Sequence, residues 1–182
     1  MRRKPGTRVS NLRLMSVDGS AFELDSLKGK RFMLAFFRFA ACPFCNLRIH
    51  ELVTRYEELG DNFTIVAVFE SPLKNLQKQA VKHHAPFTIL ADEHNIYHQE
   101  YGIEYSILRT LKGALTRMPS ILNAIFAKGY FPTSIKGHLT TMPANFLVDE
   151  NGVIHTAYYG RDEGDHLSFE RVKAFSHRKE VE

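Results

Sequence analysis

The chain has 182 residues, 44% of them apolar, and a net charge of +4. That size and composition suit one globular domain with a sizeable core. They exclude a disulfide scaffold, since only two cysteines occur, and a membrane-spanning helix, since no run of about 18 apolar residues exists.

The charge is uneven. Residues 1–17 hold Arg2, Arg3, Lys4, Arg8 and Arg13 with no acid, and residues 105–148 hold Arg109, Lys112, Arg117, Lys128 and Lys136 with no acid. Such asymmetry marks either a surface for anionic partners or a solvated face, and the solvated face is the expectation. The basic opening lacks the apolar stretch and cleavage site of a secretory leader, so a cytoplasmic location is expected. In that reducing compartment a close cysteine pair is expected to be chemical rather than structural.

Turn signals at Asp18-Gly19 and Lys28-Gly29-Lys30 bracket alternating Phe22 and Leu24. They predict a β-hairpin leading into a strand. Residues 31–40, RFMLAFFRFA, are nearly all apolar, as in a strand buried on both faces. Pro43 suits the first turn of a helix, along which Leu47, Leu52, Val53, Tyr56 and Leu59 share one face until Gly60. Residues 62–71 predict the next buried strand. Residues 71–84 predict a helix capped by Ser71 and opened by Pro72. Residues 86–92 predict a third strand, and a short helix closes at Gly102. The order β-α-β-α-β argues for an α/β domain with an open sheet.

A helical period then runs through Ile107, Leu108, Leu111, Leu115, Met118, Leu122, Ile125 and Phe126, with Pro119 expected to break it in two. Residues 129–137 predict loop. Two strands follow, joined around Asn151-Gly152. The last helix has Leu167, Phe169, Val172 and Phe175 to pack, and its charged end is expected to fray.

The only cysteines, Cys42 and Cys45, stand where the first long strand meets the first helix. Unpaired N–H groups at a helix start favour thiolate, so the Cys42 thiol should become more acidic. Arg38 and Arg48 are candidates to support it. Cys45, one turn on and more buried, can close a ring onto Cys42. Cys42 would attack a disulfide or peroxide and Cys45 would resolve the intermediate. A metal site needs more ligands than this pair supplies, and the distant His94 and His98 are the only helically paired candidates. Two inert buried thiols are the third alternative. The redox couple is the expectation, with no metal and no organic cofactor.

The stretch DGSAFELDSLKGKRFMLAFFRFAACPFC, with its L-x-x-L-x-G-K pattern, resembles the alkyl hydroperoxide reductase/thiol-specific antioxidant (peroxiredoxin-like) branch of the thioredoxin superfamily. PFTILADEHNIYHQEYGI and TMPANFLVDENGVI resemble later segments of that branch in the expected order, and CPFC is similar to the CPYC of glutaredoxins. The resemblance implies a thioredoxin-like α/β fold: three layers, α/β/α, around a mixed sheet, with an N-terminal hairpin. It implies that residues 106–137 form a basic helical insertion within a single domain, 1–182. It also implies a cis peptide at Met142-Pro143 facing the dithiol. Pro43, Phe44, Met142 and Pro143 are then substrate-binding candidates.

The expected partners are a protein or small-molecule disulfide, or a peroxide, and a thioredoxin- or glutathione-type electron donor. A homodimer is conceivable, and no nucleic acid is expected. The chain departs from the peroxiredoxin P-x-x-x-T-x-x-C pattern. Counting back from Cys42, Ala35 and Phe39 stand where that pattern has Pro and Thr. Phe36 stands where thioredoxins keep a buried acid. His50 and Glu51 are conceivable substitute bases, and a solvated helix face suits both better. Thiol–disulfide exchange is therefore the first expectation, thiol peroxidase the second, and a non-catalytic redox-sensing module the third.

Overall fold

The computed structural model describes residues 1–80, 83–130 and 137–178. Its centre is a seven-stranded mixed sheet in the order β2-β1-β5-β4-β3-β6-β7. The strands are β1 (Arg13–Ser16), β2 (Ala21–Glu23), β3 (Arg31–Phe37), β4 (Phe63–Phe69), β5 (Thr88–Ala91), β6 (Ala144–Val148) and β7 (Ile154–Tyr159). The helices are α1 (Pro43–Thr54), α2 (Leu73–Ala80), α3 (Ile96–Glu100), α4 (Ile107–Thr116), α5 (Met118–Leu122) and α6 (Phe169–Ser176). β3, β4 and β5 run parallel, while β1 and β6 run antiparallel to the strands beside them.

The continuous apolar run at β3 places it at the heart of the sheet, with every residue buried. Side chains alternate across the sheet. Met33, Ala35 and Phe37 join one core with Ile49 and Leu52 of α1, Leu76 of α2 and Val172 of α6. Phe32, Leu34 and Phe36 join the other core with Tyr101, Phe146 and Ile154. α1, α2 and α6 thus cover one face, and the short α3, through Tyr97, lies on the other with the 3-10 turn at Leu24–Leu27, giving the expected three layers.

Several boundaries differ from expectation. β3 ends at Phe37, so residues 38–42 leave the sheet and form the turn that carries the dithiol. α1 stops at Thr54, and Tyr56–Glu58 form a 3-10 turn before Gly60. The backbone of Gly60 lies against Ser176 so closely that a Cβ would sit 2.5 Å from the Ser176 carbonyl oxygen. The break near Pro119 is present, with α4 ending at Thr116 and α5 beginning at Met118. A π turn, Asn123–Ala127, follows. The rest of the 71–84 helix at residues 81–82, most of the 129–137 loop and the charged end at 179–182 lie outside the described residues.

The apolar stripe of residues 107–126 needs a cover, either the domain itself, a second subunit or a partner, and among the described residues the domain does not supply it. Leu108, Leu115 and Phe126 are 81%, 74% and 78% exposed, while Gly113 and Ala124 are the positions buried against the body. Small residues let these short helices approach closely, and their larger neighbours are turned to solvent. Part of the basic N-terminus is paired: Arg2 with Glu104 at 2.6 Å and Arg3 with Glu100 at 2.9 Å. No helix among the described residues is long and apolar enough to cross a membrane.

Candidate active site

Cys42 is the N-cap of α1, Pro43 takes the first helical position and Cys45 lies in the first turn. Proline is tolerated there because its missing N–H would be unpaired in any case. Both thiols are reduced and 0% exposed. The sequence makes Cys45 the more buried of the two, but in the structure both are fully buried: residues 39–41 and the dithiol all sink into the α1 side of the core. No part of either thiol reaches solvent in this conformation.

Burial alone pushes the Cys42 thiol up. The Cys45 S–H, the Arg38 guanidinium and the N–H groups of Cys45 and Phe44 outweigh it and bring the thiol down to about 6. Burial, together with the hydrogen bond to Cys42 and its charge, holds the Cys45 thiol well above its ordinary value. The two environments therefore act in opposite directions, driving the Cys42 sulfur toward thiolate and the Cys45 sulfur toward thiol.

Arg38 Nη1 lies 3.7 Å from Cys42 Sγ, while Nη2 donates to the Leu139 carbonyl. The side chain is buried and joins the thiol to the loop that precedes β6. Glu70, 1% exposed at the end of β4, holds the same loop. It accepts from Asn95 Nδ2 at 2.9 Å, from the His138 N–H at 3.2 Å and from the Thr141 hydroxyl. The turn before α1 is fixed by Asn46. Its Nδ2 donates to the carbonyls of Ala40 at 2.9 Å and Cys42 at 2.8 Å, and its Oδ1 faces His83 Nε2 at 2.7 Å.

The other sequence-predicted residues divide. Arg48 does not face the thiol. Its Nη1 meets Glu51 Oε2 at 2.6 Å and its Nη2 donates to the Leu167 carbonyl at 2.7 Å, tying α1 to the approach to α6. That arrangement also engages Glu51. Phe44 and Arg48 line a cleft of about 440 Å³ beside α1, with Arg117, His166 and Phe169 on its other walls. His166 is held neutral there by burial and by the Arg48 and Arg117 charges.

Every peptide bond among the described residues is trans, so the cis linkage expected at Met142-Pro143 is absent. Thr141 pairs with Tyr105, and the Met142 N–H donates to the Glu104 carbonyl at 2.8 Å. These bonds lead the chain along an extended path into β6, for which the ground-state trans form suffices. The Pro143 carbonyl accepts from the Gly160 N–H at 2.8 Å. Leu139, rather than Pro143, is the loop residue that Arg38 ties to the thiol.

Phe36 lies in the core opposite the dithiol, where its ring meets His98 edge-on at 5.0 Å. An acid at that position would point away from the sulfurs. His98 engages Asp92 Oδ2 through Nδ1 at 2.7 Å and the Phe37 carbonyl through Nε2 at 3.0 Å. Those contacts occupy both ring nitrogens, so the metal alternative loses one of its candidate histidines.

Sequence reasoning missed Glu70, Asn46 and Glu163, a buried carboxyl whose acidity burial lowers. Glu70 carried a signal, being an acid at the end of an otherwise apolar strand. Asn46, a polar residue in the first turn of an active-site helix, carried a weaker one.

A family model described as the AhpC/TSA family matches residues 5–157. The chain is 26% identical over 114 residues to a chloroplastic peroxiredoxin Q of Triticum aestivum, covering 61% of this chain and 52% of that protein. It thus spans about half the length of that relative. It is 24% identical over 154 residues to a putative peroxiredoxin bcp of Coxiella burnetii, covering 84% of this chain and 86% of that one. Among solved structures, the peroxidoxin BcpB of Mycobacterium tuberculosis superposes with a TM-score of 0.70 at 14% identity, over 97% of this chain and 99% of that one. That likeness shows the thioredoxin-like fold.

Proposed function

The chain belongs to the AhpC/TSA family, and we propose that it is a thiol-dependent reductase working through the Cys42–Cys45 dithiol. The observation that carries this reading is the acidic Cys42 thiol, set at a helix N-terminus with Arg38 Nη1 at 3.7 Å and the protonated Cys45 thiol beside it.

The Cys42 thiolate attacks one sulfur of a substrate disulfide. The substrate S–S bond breaks, its electron pair leaves as a thiolate that takes up a proton, and a mixed disulfide forms. Cys45 then gives up its proton, attacks Cys42 sulfur and expels the second substrate thiol. Two electrons pass from the dithiol to the substrate. A thioredoxin- or glutathione-type donor returns them. The proposed setting is the cytoplasm, where thiols stay reduced. Phe44, Met142 and Pro143 remain proposed substrate contacts, with Pro43 fixing the helix start.

The peroxidase reading is favoured by the names of the relatives. In it, the Cys42 thiolate attacks a peroxide oxygen, the O–O bond breaks and the other oxygen leaves with a proton as water or an alcohol, and the resulting sulfenic acid condenses with the Cys45 thiol, releasing water and forming the disulfide. Phe39 argues for the disulfide instead, because it offers no hydroxyl to the peroxide. Residues 106–137 are proposed as an insertion within one domain, and a second copy of the chain as the cover of its exposed stripe, which light scattering reads directly.

Single-turnover mixing of the reduced protein with a glutathione mixed disulfide and with hydrogen peroxide tests the choice. The disulfide is expected to oxidise the pair at least tenfold faster, relative to a free thiol under each oxidant. A larger enhancement with the peroxide makes the protein a peroxidase. No enhancement with either oxidant defeats the reductase reading.

A further inference from the structure

His83 is a buried imidazole that the dithiol chemistry above leaves unused, and one side chain separates it from the turn that carries the nucleophile. That side chain is Asn46, buried in the first turn of α1. Its Nδ2 lies 2.9 Å from the Ala40 carbonyl oxygen and 2.8 Å from the Cys42 carbonyl oxygen. A side-chain amide has two N–H donors and one acceptor oxygen. Both donors are therefore taken by the turn, and Oδ1 is the atom that meets His83 Nε2 at 2.7 Å. Two facing acceptors would repel, so His83 carries a proton on Nε2 and donates it to Asn46.

The Cys42 backbone is held at both ends. Its N–H donates to the Phe39 carbonyl at 3.1 Å, and its carbonyl accepts the Asn46 main-chain N–H at 3.0 Å as well as the Asn46 side chain. The carbonyls of Ala40 and Cys42 thus converge on one amide, which closes the turn. Cys42 is left as the N-cap, with its sulfur at the end of α1 where the N–H groups lack helical partners. Buried carbonyls without a donor are costly, so losing the amide would drive these peptides to rotate and carry the sulfur with them. The His83 ring also packs on the Tyr130 ring, 5.6 Å between centroids. The brace therefore reaches from Tyr130 through His83 and Asn46 to the nucleophile.

We propose that Asn46 is a positioning residue of the dithiol site, oriented by His83, and that it holds the Ala40–Cys42 turn so that the Cys42 sulfur stays over the N-terminus of α1. This rests on the dithiol reading above. His83 acts on the sulfur through Asn46, by setting which way the amide faces. A flipped amide would set Oδ1 against the two carbonyls and release the turn.

The test is the thiolate midpoint of Cys42 in the reduced full chain, read by ultraviolet absorbance against pH, beside the melting temperature of each variant. Asn46→Leu keeps the bulk and loses the donors, and is expected to raise the midpoint by about one unit. His83→Leu frees the amide to turn and is expected to raise the midpoint by a smaller step. His83→Gln keeps a donor for Oδ1 and is expected to restore it. Asn46→Leu combined with His83→Leu should move the midpoint no further than Asn46→Leu alone, because one residue acts through the other. The nitrogen chemical shifts of the His83 ring are expected to show a proton on Nε2 at neutral pH. A merely structural brace would lower the melting temperatures and leave the midpoint in place. Should Asn46→Leu fail to fold, the contrast between His83→Leu and His83→Gln decides the question alone. An acidic midpoint that these substitutions do not move overturns this inference and spares the dithiol reading. Full additivity of the two substitutions, or a His83 proton on Nδ1 only, overturns the role given to His83. A midpoint of the unaltered protein in the ordinary thiol range overturns both readings.

Discussion

Cys42→Ser is expected to abolish turnover, by a thousandfold or more on the order-of-magnitude scale of removed nucleophiles. Cys45→Ser is expected to stop the enzyme after one attack. The asymmetry follows from the two environments. Cys42 sits where helix N–H groups, Arg38 and the Cys45 S–H all favour a negative sulfur, whereas Cys45 is held protonated by burial and by its neighbour's charge. A serine at 42 presents a hydroxyl that those same donors cannot ionise near neutral pH. A serine at 45 still hydrogen-bonds to the thiolate but cannot expel the bound substrate thiol. Mass spectrometry of the Cys45→Ser protein after exposure to a disulfide substrate should show a stable adduct on Cys42. Turnover that survives Cys42→Ser, or an adduct found on neither sulfur, contradicts the assignment.

Arg38→Met has the second-largest expected effect. It keeps the apolar bulk but removes the cation beside Cys42 Sγ and the tie to the Leu139 carbonyl. The Cys42 midpoint should rise from about 6 by roughly one to two units toward the ordinary thiol value. The rate at neutral pH should change little, because the lost thiolate fraction is nearly offset by the greater nucleophilicity of a more basic thiolate, with a Brønsted slope of about 0.4–0.5. The pH profile is therefore the sharper readout. Stability follows with a definite sign. A thiol made more acidic by folding stabilises the reduced protein fully above its unfolded value. That contribution is lost as pH falls through about 6. Thermal melts of the reduced protein should rise with pH across that window, and those of the Arg38→Met protein should rise less. Identical slopes for the two proteins would remove Arg38 from the account.

The placement of Cys42 and Cys45 at a strand–helix junction was readable because its determinants are local: an apolar strand, a proline and a helix within about a dozen residues of each other. Arg38 was nameable for the same reason, but not its direction, since Arg48 is equally near in the sequence and turns instead to Glu51 and Leu167. A strand buried on both faces hides which side each residue takes. Phe36 therefore looked like the replacement for a buried acid when it lies across the sheet from the sulfurs. Glu70 and Leu139 come to the loop beside Arg38 from distant parts of the chain, and no spacing rule links them to Cys42. The stripe of residues 107–126 has a helical period, and a period says which residues share a face but not whether that face is covered. At Met142-Pro143, bonds to Glu104 and Tyr105, set by tertiary structure, accompany the trans form.

The central claim is that folding makes Cys42 a thiolate at neutral pH. The direct measurement is the ultraviolet thiolate absorbance of the reduced native protein titrated from acid to alkaline pH, with Cys42→Ser as the blank. The expected result is one thiolate appearing with a midpoint near 6, absent from the blank, and a second appearing only at strongly alkaline pH. A first midpoint in the ordinary range of about 8–9, or an acidic step that persists in the blank, would contradict the account.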